Sequence, residues 1–271
     1  LVHIIIFKFY PLFNAFYMSF HQWNMLNPPE WIGLGNYSRL LGDARFHQSV
    51  QVSLKYTFVT MVFLTTLGLA LGIMFNRTIK GVALLRAAYF VPSIMSTVVI
   101  AIIWRYIFHP TFGLQTIFTE LFGYYNVRWL SSTALALTAL IIVGIWRHLG
   151  YYGMIYLSGL QAIPNEQYEA AKIDGAKPYQ TLLYITVPLL RPTFLFVAII
   201  SVINSFQSFA PAQLMTDGGP AGSTTVIPLF LYRTAFQNLH MGYGSAIAVI
   251  MFFILMAFTL LQMRVFGHEG Q

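Results

Sequence analysis

The residues of this chain that could do chemistry are few, and most of them lie within two long apolar stretches. In the second stretch, polar side chains recur at the i, i+3, i+4 and i+7 spacing of one helical face, with Gln207 beside them: Ser201, Asn204, Ser205 and Ser208. An unsatisfied polar group in hydrocarbon is energetically costly. The stripe is therefore expected to face water, a solute or another helix.

In the first stretch, Arg147 and Tyr151 are one helical turn apart, and His148 is adjacent. A charged residue within a membrane helix indicates a functional site by default. The amides and hydroxyls of both stretches can donate and accept hydrogen bonds, and the ring of Tyr151 can stack on a pyranose, so the set suits a carbohydrate. Two structural alternatives stay open: Ser and Asn commonly join helix to helix, and Arg147 can contact an acid or a carbonyl of a partner subunit.

The composition indicates a membrane protein. Of the 271 residues, 57% are hydrophobic and 8% are charged, against about a quarter charged in a typical soluble domain. The net charge of +7 comes from bases that are scattered singly, without the basic patch that nucleic-acid binding requires. Cysteine is absent, which excludes disulfides, thiolate metal sites and a thiol nucleophile.

The elements that must position these residues can be located from the charges. Long charge-free runs mark the helices, because a spanning helix needs about 20 mostly apolar residues. With the runs on either side of Arg147 taken as one helix, they predict six spans at about 2–20, 53–75, 87–108, 133–158, 190–211 and 243–265. Segments of this length are too long for barrel strands. The predicted fold is an all-α membrane protein with a single transmembrane domain over residues 1–271, and an even number of spans places both termini on one side.

The two usual energy sources of active transport, ATP hydrolysis and ion coupling, each require particular residues in the sequence. There is no G-x-x-x-x-G-K-[ST] phosphate loop, and the histidines lack the i, i+4 spacing of a helical metal site. Ion coupling needs ionisable groups within the membrane, but every acid falls outside the predicted spans: Glu30, Asp43, Glu120, Glu166, Glu169, Asp174, Asp217 and Glu269. We therefore expect no catalysis and no metal or cofactor site in this chain, with His148 as the one candidate proton relay.

The segment 163–192 differs from the rest, because it holds three of the eight acids. It predicts one short helix that begins at Pro164 or Asn165 and ends before Gly175, and a second helix at about 178–185. Small residues form a ridge on which another protein could approach closely: Ala170, Ala171, Gly175 and Ala176. The alternative from composition alone is an amphipathic hairpin that rests on membrane lipid.

A resemblance favours the docking interpretation. The run Glu169-Ala170-Ala171 and Asp174-Gly175-Ala176, followed by Ile185, Pro188 and Pro192, resembles the EAA loop of permease subunits of binding-protein-dependent ABC importers. Further likenesses to the carbohydrate-importing branch are GLGNYSRLL at 33–41, YFVPSIMSTVVIAIIW at 89–104, GLQAIP at 159–164 and TDGGPAGSTT at 216–225. Together these motifs extend from residue 33 nearly to the C-terminus.

This resemblance implies a six-helix type I importer permease in a bacterial or archaeal cytoplasmic (inner) membrane, with both termini cytoplasmic. It implies as partners a second homologous permease, two ATPase subunits that bind ATP and Mg, and an extracytoplasmic solute-binding protein. The EAA loop would enter a cleft of the ATPase, and the cavity between the two permeases would carry a sugar, oligosaccharide or related polyol. The alternative function is a stand-alone secondary carrier or facilitator for a polar solute.

Overall fold

A computed structural model describes residues 2–111, 113, 116, 121 and 127–266 of the chain, so Glu120 and Glu269 lie outside the described residues. The described part is mainly helical. One two-residue antiparallel pair, β1 (His21–Gln22) with β2 (Glu30–Trp31), follows the first helix. The helices are α1 (Val2–Met18), α2 (Gly35–Gly42), α3 (Ala44–Phe75), α4 (Val82–Ile94), α5 (Thr97–Ile107), α6 (Ala136–Gln161), α7 (Asn165–Ile173), α8 (Pro178–Leu189), α9 (Arg191–Phe206), α10 (Ala212–Thr216), α11 (Ile227–Tyr232, continued by a π-helical turn at Arg233–Gln237) and α12 (Met241–Phe266).

Among the described residues, three helices are long and apolar enough to cross a membrane: α3, α6 and α12. The count is five if each of two bent pairs, α4 with α5 and α8 with α9, is one span. Together with the shorter apolar helix α1, these segments overlap the six predicted spans in order, and the fifth predicted span overlaps α9 but not α8. Helix α3 begins earlier than the predicted residue 53, because Asp43 Oδ1 accepts hydrogen bonds from the backbone amides of Arg45 and Phe46 and so caps the helix N-terminus.

The third predicted span, 87–108, is wrong as a single helix. Helices α4 and α5 meet at an angle of 101° across Met95 and Ser96, whose backbone is extended. Pro92 lies inside α4 and lacks the N–H that would donate within the helix, which weakens the last turns before the break. The fifth predicted span, 190–211, is also shorter than expected, because α9 ends at Phe206.

The centre of the bundle is the contact of α3 with α6, against which α9 packs. Gly72 on α3 lies so close to α6 that an added Cβ would be 2.6 Å from the Cβ of Tyr156. Tyr152 and Tyr156 on α6 are fully buried beside Leu64. Small residues allow helix backbones to approach closely, which is the usual source of packing energy between membrane helices.

Candidate functional site

The central cavity lies where two helices are interrupted. It encloses about 410 Å³ between the start of α5, the middle of α6 and the end of α9. Its polar lining comes from Tyr56, Thr97, Arg147, His148, Asn204, Gln207 and Ser208, and its remaining lining from Ile100, Val143, Gly144, Phe209, Ala210 and Pro211. Irregular backbone at membrane depth is tolerated only where it is buried in protein or lines a cavity, and helix ends leave backbone groups without intrahelical partners. The two breaks therefore make this region polar.

Arg147 carries the only formal charge among the described residues that line the central cavity. Its Nη2 donates to the carbonyl of Met95 at 3.5 Å, at the break between α4 and α5. Its Nε is buried and has no hydrogen-bond partner among the described residues. The guanidinium thus retains most of its hydrogen-bonding capacity.

Two tyrosines that the sequence interpretation missed accept hydrogen bonds from polar groups at and just beyond the end of α9. Asn204 Nδ2 donates to the hydroxyl of Tyr152 at 3.2 Å, and Ser208 Oγ donates to the hydroxyl of Tyr56 at 3.5 Å. His148 Nδ1 lies 2.9 Å from the carbonyl of Gly144, so a proton on Nδ1 is donated within the helix. The signal for both tyrosines in the sequence is a hydroxyl group within a long apolar helix.

The structure brings five of the eight predicted pathway residues to the central cavity: Arg147, His148, Asn204, Gln207 and Ser208. Ser201, Ser205 and Tyr151 are not part of its lining. Ser201 is fully buried and its Oγ donates to the carbonyl of Ala198, and Ser205 is also buried. The ring of Tyr151 packs edge-on against that of Tyr152, with centroids 5.2 Å apart.

This division of the stripe has a geometric cause. Successive helical residues are rotated by about 100°, so Asn204 and Ser205 lie on different edges of the face that is centred on Ser201. The helix ends at Phe206, so the i+7 position of Ser208 is set by a turn and not by the helix. Asn204 consequently faces the central cavity while Ser201 and Ser205 are enclosed by the bundle.

A second candidate site is the surface hairpin, which we define as α7, α8 and the turn between them. Gly175 has φ of +72°, and the turn is closed by hydrogen bonds from the amide of Ala176 to the carbonyl of Ala171 and from the amide of Gly175 to the carbonyl of Lys172. This is the Schellman arrangement, in which a residue in the left-handed region ends a helix. Glycine adopts this conformation without strain.

Most of the predicted docking residues of the surface hairpin are accessible. Glu169, Ala170, Asp174 and Gly175 are exposed and Ala176 is half-buried. Ala171 is the exception, because only 5% of it is exposed. Its prediction as a docking residue is corrected: it packs against its own chain, beneath the surface that a partner can reach.

The sequence interpretation missed the apolar part of the same surface. Ile173 is 87% exposed, and Tyr179, Leu183 and Tyr184 are also exposed. These are large apolar side chains on a hairpin that otherwise carries charged and small residues. An exposed apolar group of this kind marks a protein or membrane contact. In the sequence, such a group can be recognised as a large apolar residue within a polar segment.

A helical bundle with exposed apolar residues on its helices, a polar cavity at two helix breaks and an exposed hairpin is typical of a membrane transport subunit. Residues 31–268 match the model of the family described as "binding-protein-dependent transport system inner membrane component". The chain belongs to this family. It is accordingly a permease component of an inner-membrane transporter.

Relatives and solved structures agree with this assignment. The chain is 34% identical to the probable starch degradation products transport system permease protein AmyD of Thermoanaerobacterium thermosulfurigenes, over 97% of this chain and 89% of that protein. It is 32% identical to the trehalose/maltose transport system permease protein MalF of Thermococcus litoralis, with the same coverage. A bacterial alginate ABC transporter, solved in complex with its alginate pentasaccharide-bound periplasmic protein, has a chain of the same fold, with a TM-score of 0.86, 20% identity and coverage of 100% of this chain and 93% of that chain.

Proposed function

We propose that this chain is one permease subunit of an ATP-driven carbohydrate importer and that its central cavity forms half of the translocation path. The observation that carries the proposal is the lining of the central cavity, where Asn204, Gln207 and Ser208 meet Tyr56 at two helix breaks. Amides and hydroxyls both donate and accept, as sugar hydroxyls require. The names of the two relatives above, which mention starch products and trehalose/maltose, support the same substrate class.

The partners follow from the same proposal. A second homologous permease completes the path, two ATPase subunits bind ATP and Mg, and an extracytoplasmic binding protein delivers the solute. The surface hairpin docks on an ATPase subunit, which places it and both termini in the cytoplasm. The exposed Ile173 and the small residues around Gly175 form the contact.

An Asn204→Ala variant tests the role of the central cavity. It removes one donor and one acceptor that a passing sugar would use, so transport is expected to fall while stimulation of the ATPase by the loaded binding protein persists. Asn204 is exposed and lines the cavity, and its hydrogen bond to Tyr152 lies within this chain, so the assembled complex should survive in detergent.

Ser201→Ala is the matched control on the same helix. Ser201 is enclosed and bonds within its own helix, so this variant should leave transport unchanged. Loss of the assembled complex in Asn204→Ala would indicate a packing role and contradict the proposal. Sugar uptake by the purified chain alone would favour a stand-alone facilitator.

A further inference from the structure

The charge of Arg147 is not neutralised by any described residue of the central cavity. All described acids lie outside the membrane-spanning helices, and none of them lines this cavity. The contact of Nη2 with the Met95 carbonyl is at the outer limit of a hydrogen bond, and the buried Nε has no partner. A guanidinium has five donors in a planar fork, and those of the half-buried Arg147 that face the cavity remain available to a group that enters it.

A helix terminus adds positive potential to the same cavity. Thr97, the first residue of the 11-residue helix α5, lines it. The first amides of a helix have no intrahelical acceptor, and the helix dipole gives this end a partial positive charge. The Arg147 side chain and the start of α5 therefore both favour a negatively charged group.

The other end of α5 opens on a second cavity, which we call the outer cavity. It encloses about 380 Å³ and is lined by Arg105, Arg128 and Trp129, together with Gln213 and Asp217. Asp217 is the one acid in its described lining, and its carboxylate is already paired with Arg233 at 2.6 Å. The two cavities lie at opposite ends of α5, about 16 Å apart at 1.5 Å per residue, and both contain arginine that forms no ion pair with a described carboxylate.

We propose that the transported carbohydrate carries a carboxylate, as a uronate does, and that Arg147 is the residue that selects for it. A planar carboxylate matches the guanidinium fork with two parallel hydrogen bonds, whereas a neutral sugar leaves the charge unpaired. This inference rests on the proposed function, since it assumes that the solute enters the central cavity. Arg105 and Arg128 would attract the same anion at the outer cavity.

Charged thiol reagents test the potential directly, because the chain has no native cysteine. Gln207→Cys places a thiol in the central cavity at an exposed position. In the assembled transporter, we would compare its labelling rates with the anionic sulfonatoethyl and the cationic trimethylammonioethyl methanethiosulfonates. The anion-to-cation rate ratio should fall about tenfold when Arg147→Gln is added, which is the size expected for one unit charge a few ångströms away in water.

Two matched controls accompany this comparison. Arg147→Lys keeps the charge and should keep the ratio near its parent value. Ser38→Cys lies on the exposed surface of α2, and its ratio should not respond to Arg147→Gln. Glucuronate should slow the labelling of Gln207→Cys more than the neutral glucuronamide does, and this difference should vanish with Arg147→Gln.

The outcomes separate the two proposals. If the thiol at position 207 reacts with both reagents and the ratio of its labelling rates does not depend on Arg147, the acidic-substrate inference is overturned. The assignment of the central cavity as the translocation path then still stands. Equal protection by glucuronate and glucuronamide, or none by either, also overturns it. A thiol that is inert to both reagents contradicts the path itself.

Discussion

Replacement of Gly175 separates two roles of the surface hairpin, its backbone geometry and its close approach to a partner. Gly175 has φ of +72° and no atom lies within 4 Å of where its Cβ would be. A non-glycine residue in this region costs about 1–2 kcal/mol in backbone strain, whatever its size. Gly175→Ala and Gly175→Trp should therefore destabilise the isolated permease by similar amounts.

The two variants should differ once the ATPase is present. If the hairpin is docked closely, the tryptophan ring must occupy volume that the ATPase fills, so Gly175→Trp should lose the ATPase or uncouple hydrolysis from transport. Gly175→Ala should retain most of the coupling. The measurements are the amount of ATPase that co-purifies with the permease and the ratio of sugar transported to ATP hydrolysed.

Gly81 provides the matched control for this comparison. It also has a positive φ, +86°, and open space around its Cβ position, and it precedes α4 outside the hairpin. Gly81→Ala and Gly81→Trp should carry the same strain without losing the ATPase. Normal assembly and coupling in Gly175→Trp would refute the docking role, and equal defects in Gly175→Ala and Gly175→Trp would assign Gly175 to backbone geometry alone.

Three further predictions concern the whole chain, its packing and its pH dependence. The purified chain, reconstituted alone, should neither hydrolyse ATP nor catalyse sugar counterflow, as it has no phosphate loop; counterflow would contradict this. Gly72→Ala should lower the thermal unfolding midpoint, because the added Cβ overpacks the contact of α3 with α6 by about 1–3 kcal/mol, whereas Gly42→Ala, which has open space, should not. Partial burial raises the pKa of Asp43, but hydrogen bonds from Tyr243 and the first α3 amides, with a nearby arginine charge, outweigh it and hold this pKa below its usual value. A lowered carboxyl pKa stabilises the fold above about pH 4 and ceases to do so below it, so the melting difference between the parent and Tyr243→Phe should be present at pH 7 and shrink in stronger acid.

The sequence locates the polar residues of the site well where their type alone identifies them. Arg147, Asn204 and Gln207 stand out because polar groups are rare in apolar runs, and the structure places them in one cavity. The prediction that Ser201 lines the substrate path rests on helical spacing alone. Spacing carries no information on which edge of the polar stripe faces a neighbouring helix. Ser201 and Ser205 are accordingly buried in the bundle.

The interruptions that create the cavity are harder to predict than its residues. The apolar run across Met95 and Ser96 continues without a charge, so hydropathy indicates one span where the backbone turns by 101°. Pro92 was the available signal, but a proline in a membrane helix is often accommodated without a break. In the surface hairpin, the sequence identified the small residues but not the orientation of Ala171, which depends on packing against the bundle.

Single-cysteine labelling in the assembled transporter tests the central claim most directly. Asn204→Cys and Gln207→Cys should react with a water-soluble thiol reagent and be protected by the transported carbohydrate, while Ser201→Cys should stay inert because it is enclosed. Phe196, which is 51% exposed nearer the start of the same helix and is not part of the cavity lining, provides an exposed comparison position. Reaction at position 196 with inertness at both 204 and 207 would contradict the assignment of the central cavity as the path.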